Sequence, residues 1–114
     1  MKYERELLKG VAPVVVLETL SRGRMYGYEL SEAIEKRSKG LFSLGKGTLY
    51  PLLYNLEAKG LVVAEVEAAE SGRNRRYYSI TSQGRGELAK QREQLVTLRE
   101  AIGLVFGMGN VTPA

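Results

Sequence analysis

The hydrophobic period of this chain changes twice, and that change limits the folds open to it. From residue 5 to residue 60 the apolar residues recur at helical spacing. Leu49, Leu52, Leu53 and Leu56 follow the i, i+3, i+4, i+7 pattern of a helix with one buried face. From Leu61 to Ile80 the spacing shortens towards alternation, and the residues are strand formers: Val62, Val63, Val66, Tyr77, Tyr78 and Ile80. Ser71-Gly72-Arg73-Asn74 is the turn signal between the two halves of a hairpin. From Thr81 the period becomes helical again, with Thr81 or Ser82 as a good N-cap. Leu88, Leu95 and Ile102 recur at seven, as do Leu98 and Val105.

Two further helices precede the opening of the hairpin. RELLKGVAPVVVLETL spans residues 5–20, and its Pro13 suits a first turn, so the helix proper is expected to start near Gly10 or Val11. Leu7 and Leu8 then belong to a separate amphipathic arm over residues 1–9. YGYELSEAIEKRSKG follows a polar break and reads as a second helix over 26–39. The third helix covers about 46–59. The expected order is helix, helix, helix, two strands, long helix. That is a mainly α chain with a small β-hairpin: a winged helix-turn-helix over 1–80, a long C-terminal helix over 81–106, and a flexible tail over 107–114.

Composition removes several functions. The 114 residues include no cysteine and no histidine, which excludes disulfides and thiolate or imidazole metal sites. Nucleophile–histidine catalysis goes with them. No Walker-type phosphate loop is present, and the acids are scattered as ion-pair partners on helix surfaces, so neither an enzyme nor a bound cofactor is expected. The apolar runs are too short to span a bilayer and no signal peptide is evident, so the expected location is cytoplasmic. The net charge of +4 makes an anionic partner plausible, with nucleic acid first.

Three segments resemble the PadR-like family of winged-helix transcriptional regulators. They are YGYEL at 26–30, GTLYPLLYNLEAKGLV at 47–62, and RRYYSIT with Gly84 at 75–84. They resemble the family patterns H-G-Y-E-L, G-T-L-Y-P-x-L-x-x-L-E-x-x-G-L-I and R-K-Y-Y-x-L-T-x-x-G, in the same order. The single C-terminal helix resembles the compact subgroup. The resemblance implies a homodimeric DNA-binding repressor tuned by a small-molecule effector. Tyr26 stands where histidine is common, and Tyr54-Asn55 where arginine often stands. Some compact members stack flat aromatic compounds between tryptophans at the dimer centre. This chain has no tryptophan, and its last helix has only Phe106 as an aromatic.

On a wheel of about 100° per residue the leucines of the third helix share one side. Gly47, Pro51, Tyr54, Asn55 and Ala58 fall opposite, with Thr48 and Tyr50 on the flanks. A helix entering the major groove needs such a small, polar outer face. Asn55 suits adenine, Thr48 a base or phosphate, and the tyrosine hydroxyls phosphate, while Lys46 adds charge at the helix start. The bland alternative makes Thr48 a first-turn residue and Tyr50 and Tyr54 surface cover. Arg73, Arg75 and Arg76 in the hairpin suit phosphates or a minor groove. Alternation sends Arg75 and Arg76 to opposite faces, so one of them points away from DNA. Tyr26, Gly27 and Tyr28 read as packing residues. Leu88, Leu95, Leu98, Ile102 and Val105 read as a dimer seam that Leu7, Leu8 and Val11 could join; the alternative folds the last helix onto its own domain. A winged helix that binds protein and not DNA is the competing function.

Overall fold

The computed structural model describes the backbone of residues 5–108, with side chains from residue 9. It contains α1 (Arg5–Leu20), β1 (Met25–Tyr26), α2 (Gly27–Arg37), α3 (Lys46–Ala58), β2 (Val62–Ala68), β3 (Asn74–Ile80) and α4 (Ser82–Phe106). The strands form one antiparallel sheet in the order β1-β3-β2. This is the expected winged helix with a long terminal helix. Leu7 and Leu8, and the tail from residue 109, lie outside the described side chains.

The core sits where α1, α2, α3 and the sheet meet. Val16, Leu17 and Leu20 of α1 pack with Leu30 and Ile34 of α2, Leu49, Leu53 and Leu56 of α3, and Val62 and Tyr78 of the sheet. Burying one such side chain contributes about 1.5–3 kcal/mol. That scale explains a correction at Pro13. The helix does not begin near Gly10; α1 is already formed at Arg5, and Pro13 lies in its interior. An interior proline costs about 3 kcal/mol through its missing N–H and ring clash. Ala12, Val14, Val16 and Leu17 are all buried around it, and their combined burial outweighs that local cost.

Two other expectations need correction. The sheet has a third strand: Met25 and Tyr26 pair with Tyr78 and Tyr77. A strand of two residues is too short to carry a readable alternation. Tyr28 is not a packing residue; it is 66% exposed and its hydroxyl donates to Glu32 Oε2 at 3.2 Å.

Glycine sets two junctions. Gly60 ends α3 at φ +76°, the left-handed conformation that suits glycine, and Leu61 N–H then closes on Leu56 O at 2.9 Å. That turn launches β2 straight from α3. Thr81 caps α4 by accepting from Gly84 N–H at 2.9 Å, and its hydroxyl donates to Gly60 O at 2.7 Å. Gly84 sits against this junction: a Cβ there would fall inside contact distance of the Leu61 carbonyl oxygen and 2.8 Å from Ile80 Cγ1. The Leu61 backbone cannot retreat without opening the strand–helix joint.

The expected seam on α4 divides in two. Leu88 is buried in the chain's own core, while Leu95 is half-buried, packed against that core and open towards Leu98 and Ile102. Leu98, Ile102 and Val105 are exposed, together with Leu104 and Phe106.

These contacts predict opposite outcomes for two glycines of α4. Gly84→Ala is expected to lower unfolding free energy by about 1–3 kcal/mol through overpacking. A Cβ on Gly86 meets nothing within 4 Å, so Gly86→Ala is expected to raise it by about 0.5–1 kcal/mol through helix propensity. Denaturant melts of both variants check this.

Candidate nucleic-acid interface

The outer side of α3 carries no apolar residue that the core needs. Leu49, Leu53 and Leu56 are buried, while Lys46, Gly47, Thr48, Pro51, Tyr54, Asn55 and Ala58 are exposed. Gly45 is the N-cap and has no side chain to accept a hydrogen bond. Its carbonyl accepts from Thr48 and Leu49 N–H at 3.1 and 2.9 Å. The Lys46 and Gly47 N–H groups have no protein acceptor among the described residues. A helix start left open in this way favours an anion.

Tyr50 and Tyr54 differ. Tyr50 is half-buried, and its ring occupies the space where Gly27 has no side chain: a Cβ there would lie 2.8 Å from Tyr50 Cζ. The glycine thus lets α2 and α3 close together over the tyrosine, as expected of Gly27. Tyr50 braces the helix pair. Tyr54 is 55% exposed, with its ring tilted at 6.5 Å from that of Tyr50. Ser31 Oγ, donating to Leu44 O at 2.9 Å, ties α2 to the segment that leads into α3.

The three wing arginines have different surroundings. Arg73 lies in the five-residue tip, which closes through Ala69 N–H to Arg73 O at 2.7 Å and Gly72 N–H to Ala69 O at 2.9 Å. Its guanidinium is exposed and has no ion-pair or ring partner among the described residues. Arg75 lies with its guanidinium 4.5 Å from the centre of the Tyr26 ring, a cation–π contact. Arg76, on the opposite face of β3, is turned back onto the protein. Its Nη2 donates to both oxygens of Glu57, at 3.0 and 2.8 Å, and its Nε donates to the Tyr78 hydroxyl at 3.2 Å. The Glu57 contact, first, and then the Tyr78 hydroxyl raise the Arg76 pKa above its ordinary value. Burial raises that of Tyr78, and the Arg76 contact partly offsets the rise. Arg75 and Arg76 thus lie on opposite faces of β3, as strand alternation requires, with Arg76 against α3 and Arg75 against Tyr26.

Sequence reasoning missed Arg24 and Glu57. Arg24 sits just before β1, 4.4 Å over the Tyr77 ring, and pairs with Glu67 of β2. Tyr77 in turn meets Tyr26 edge to face at 5.5 Å. The outer face of the sheet is therefore a ladder of Arg24, Tyr77, Tyr26 and Arg75. The polar break SRGR carries no period, which hid Arg24. Glu57 falls among ordinary helix charges, and only the fold brings it to Arg76.

Among the described residues there is no cluster of three metal-ligating side chains, and no helix is long and apolar enough to cross a membrane.

An open polar helix beside a hairpin whose tip and returning strand carry three arginines, against Glu65, Glu67 and Glu70 ahead of them, is a winged-helix arrangement held on a helical core. Comparisons with known proteins agree. Residues 16–90 match the transcriptional regulator PadR-like family. The chain is 33% identical over 100 residues to the transcriptional regulator Rv3488 of Mycobacterium tuberculosis, covering 87% of this chain and 90% of that protein. It superposes with a TM-score of 0.78 on a PadR-family transcriptional regulator from Eggerthella lenta, at 31% identity, covering 89% and 86% of the two chains. A transcriptional regulator from Clostridium thermocellum gives a TM-score of 0.80 at 26% identity, covering 86% and 95%. The chain belongs to the PadR-like family of transcriptional regulators.

The ladder makes a prediction about charge. The hydrogen bond from Arg24, with its positive charge, holds the Glu67 carboxyl below its ordinary pKa, against a smaller opposing effect of burial. A depressed carboxylate pKa stabilises the fold above the unfolded value near 4.3, and this is lost as pH falls through the folded value. Both side chains are exposed, so the stability effect is small. A carbon-detected NMR titration is expected to find Glu67 below the ordinary glutamate range, and Arg24→Ala is expected to return it there. An ordinary value in the unaltered protein would break the assignment.

Proposed function

We propose that the protein is a homodimeric, sequence-specific DNA-binding repressor of a pseudo-palindromic operator. The observation that carries this reading is the outer face of α3: a helix with an uncapped start whose exposed side offers Thr48, Tyr54 and Asn55 between small residues. Side chains of that kind permit close approach to a groove and hydrogen bonds to base edges. Lys46 and the free N–H groups at its start suit a phosphate. Arg73, without an ion-pair partner among the described residues, suits a second phosphate or a minor groove, with Arg75 and Arg24 behind it.

The dimer rests on α4. Leu98, Ile102, Leu104, Val105 and Phe106 are exposed on its last turns. A cluster of exposed apolar residues on one helix is the mark of an interface. A twofold pair of chains would bring two copies of α3 to successive major-groove faces, about 34 Å apart. The resemblance also implies an effector. The cleft between α1, α2 and α4, about 490 Å³ and lined by Val14, Val15, Glu18, Ile34, Phe42 and Arg92, is of a size that would admit one.

The competing reading, a winged helix that binds protein, predicts weak DNA affinity with little salt dependence. Under the proposal, log K for duplex DNA falls steeply with log salt, by about 0.9 per phosphate contact. Arg73→Ala is expected to reduce that slope by about 0.9 while leaving the melting temperature unchanged. Fluorescence anisotropy over a salt series measures both, and a flat dependence for the unaltered protein would favour the competing reading.

A further inference from the structure

We propose that Arg76 is a positioning residue that braces the wing against α3 through Glu57, and that it makes no phosphate contact. The inference rests on the DNA-binding reading above and deepens it. Arg76 is held at both ends. One guanidinium nitrogen bonds both oxygens of Glu57, which follows buried Leu56 on the last turn of α3. The other bond goes to the hydroxyl of Tyr78, a side chain with no exposed surface at all. The planar fork of arginine spans the two partners, which a lysine could not do. Glu57 and Arg76 also cancel in charge, so the pair adds nothing to the attraction for phosphate. Without Arg76, Glu57 would present a bare carboxylate on the DNA-facing helix itself. The pair therefore sets the angle between wing and helix, and so decides whether Arg73 reaches its phosphate when Asn55 reaches its base.

The test uses the intact protein, a duplex enriched by it from random-sequence DNA, and a shuffled duplex of equal length. Anisotropy is recorded over a salt series for the unaltered protein, Arg76→Ala, Arg76→Glu, Glu57→Gln, and the double charge swap Glu57→Arg with Arg76→Glu. Arg76→Ala is expected to keep the salt slope of the unaltered protein. Its preference for the enriched duplex is expected to fall about tenfold, the worth of one base contact. The swap is expected to restore preference, which Arg76→Glu alone does not. If Arg76→Ala does not fold, Glu57→Gln decides: its preference is expected to fall while its slope holds or rises by about 0.9 as Arg76 is released. A slope lowered by about 0.9 in Arg76→Ala, or an unchanged preference in Glu57→Gln, would overturn the brace. A flat salt dependence in the unaltered protein would instead overturn the DNA-binding reading beneath it.

Discussion

The burial of Tyr78 fixes the register of β3, and the layout of the wing follows from that register. Successive residues of a strand face opposite ways, so a slip of one would turn every side chain over. With Tyr78 in the core, Ile80 and Arg76 share its side, and Tyr77 and Arg75 take the other. β3 is the central strand, pairing with β1 on one edge and β2 on the other. One buried ring therefore determines which arginine meets α3 and which joins the outer ladder.

The same economy governs the helix pair. Gly27 has no side chain, Tyr50 fills the space, and α2 and α3 come close enough to act as one body. The exposed face of α3 is then free of structural duty. Its small and polar residues, and the uncapped start at Gly45, would be costs in an isolated helix. They become intelligible on a helix that the core already holds in place.

Much of this was legible in the sequence because it is periodic. The leucines of α3 repeat at helical spacing, and their burial follows from that spacing alone. A cap at Thr81 or Ser82 was readable because the chemistry is local, and the structure selects Thr81. The two-residue strand β1 was not readable, because two residues have no period. Pro13 was misplaced for a different reason: a local rule placed it in a first turn, and tertiary burial overrode the rule. The heptad residues of α4 illustrate a third limit. A repeat states that a face is apolar without saying what covers it, and Leu88 turned out to face its own core. Glu57 and Arg76 stand 19 positions apart, and no local pattern joins them.

The central claim is that two copies of α3, related by a twofold axis, read DNA. Selection of duplexes from a random-sequence pool by the intact protein tests it most directly. The account predicts an enriched site of two inverted half-sites, their centres separated by about 10 base pairs or a multiple of that helical repeat. Enrichment of no sequence, or of a single half-site without inverted symmetry, would contradict it.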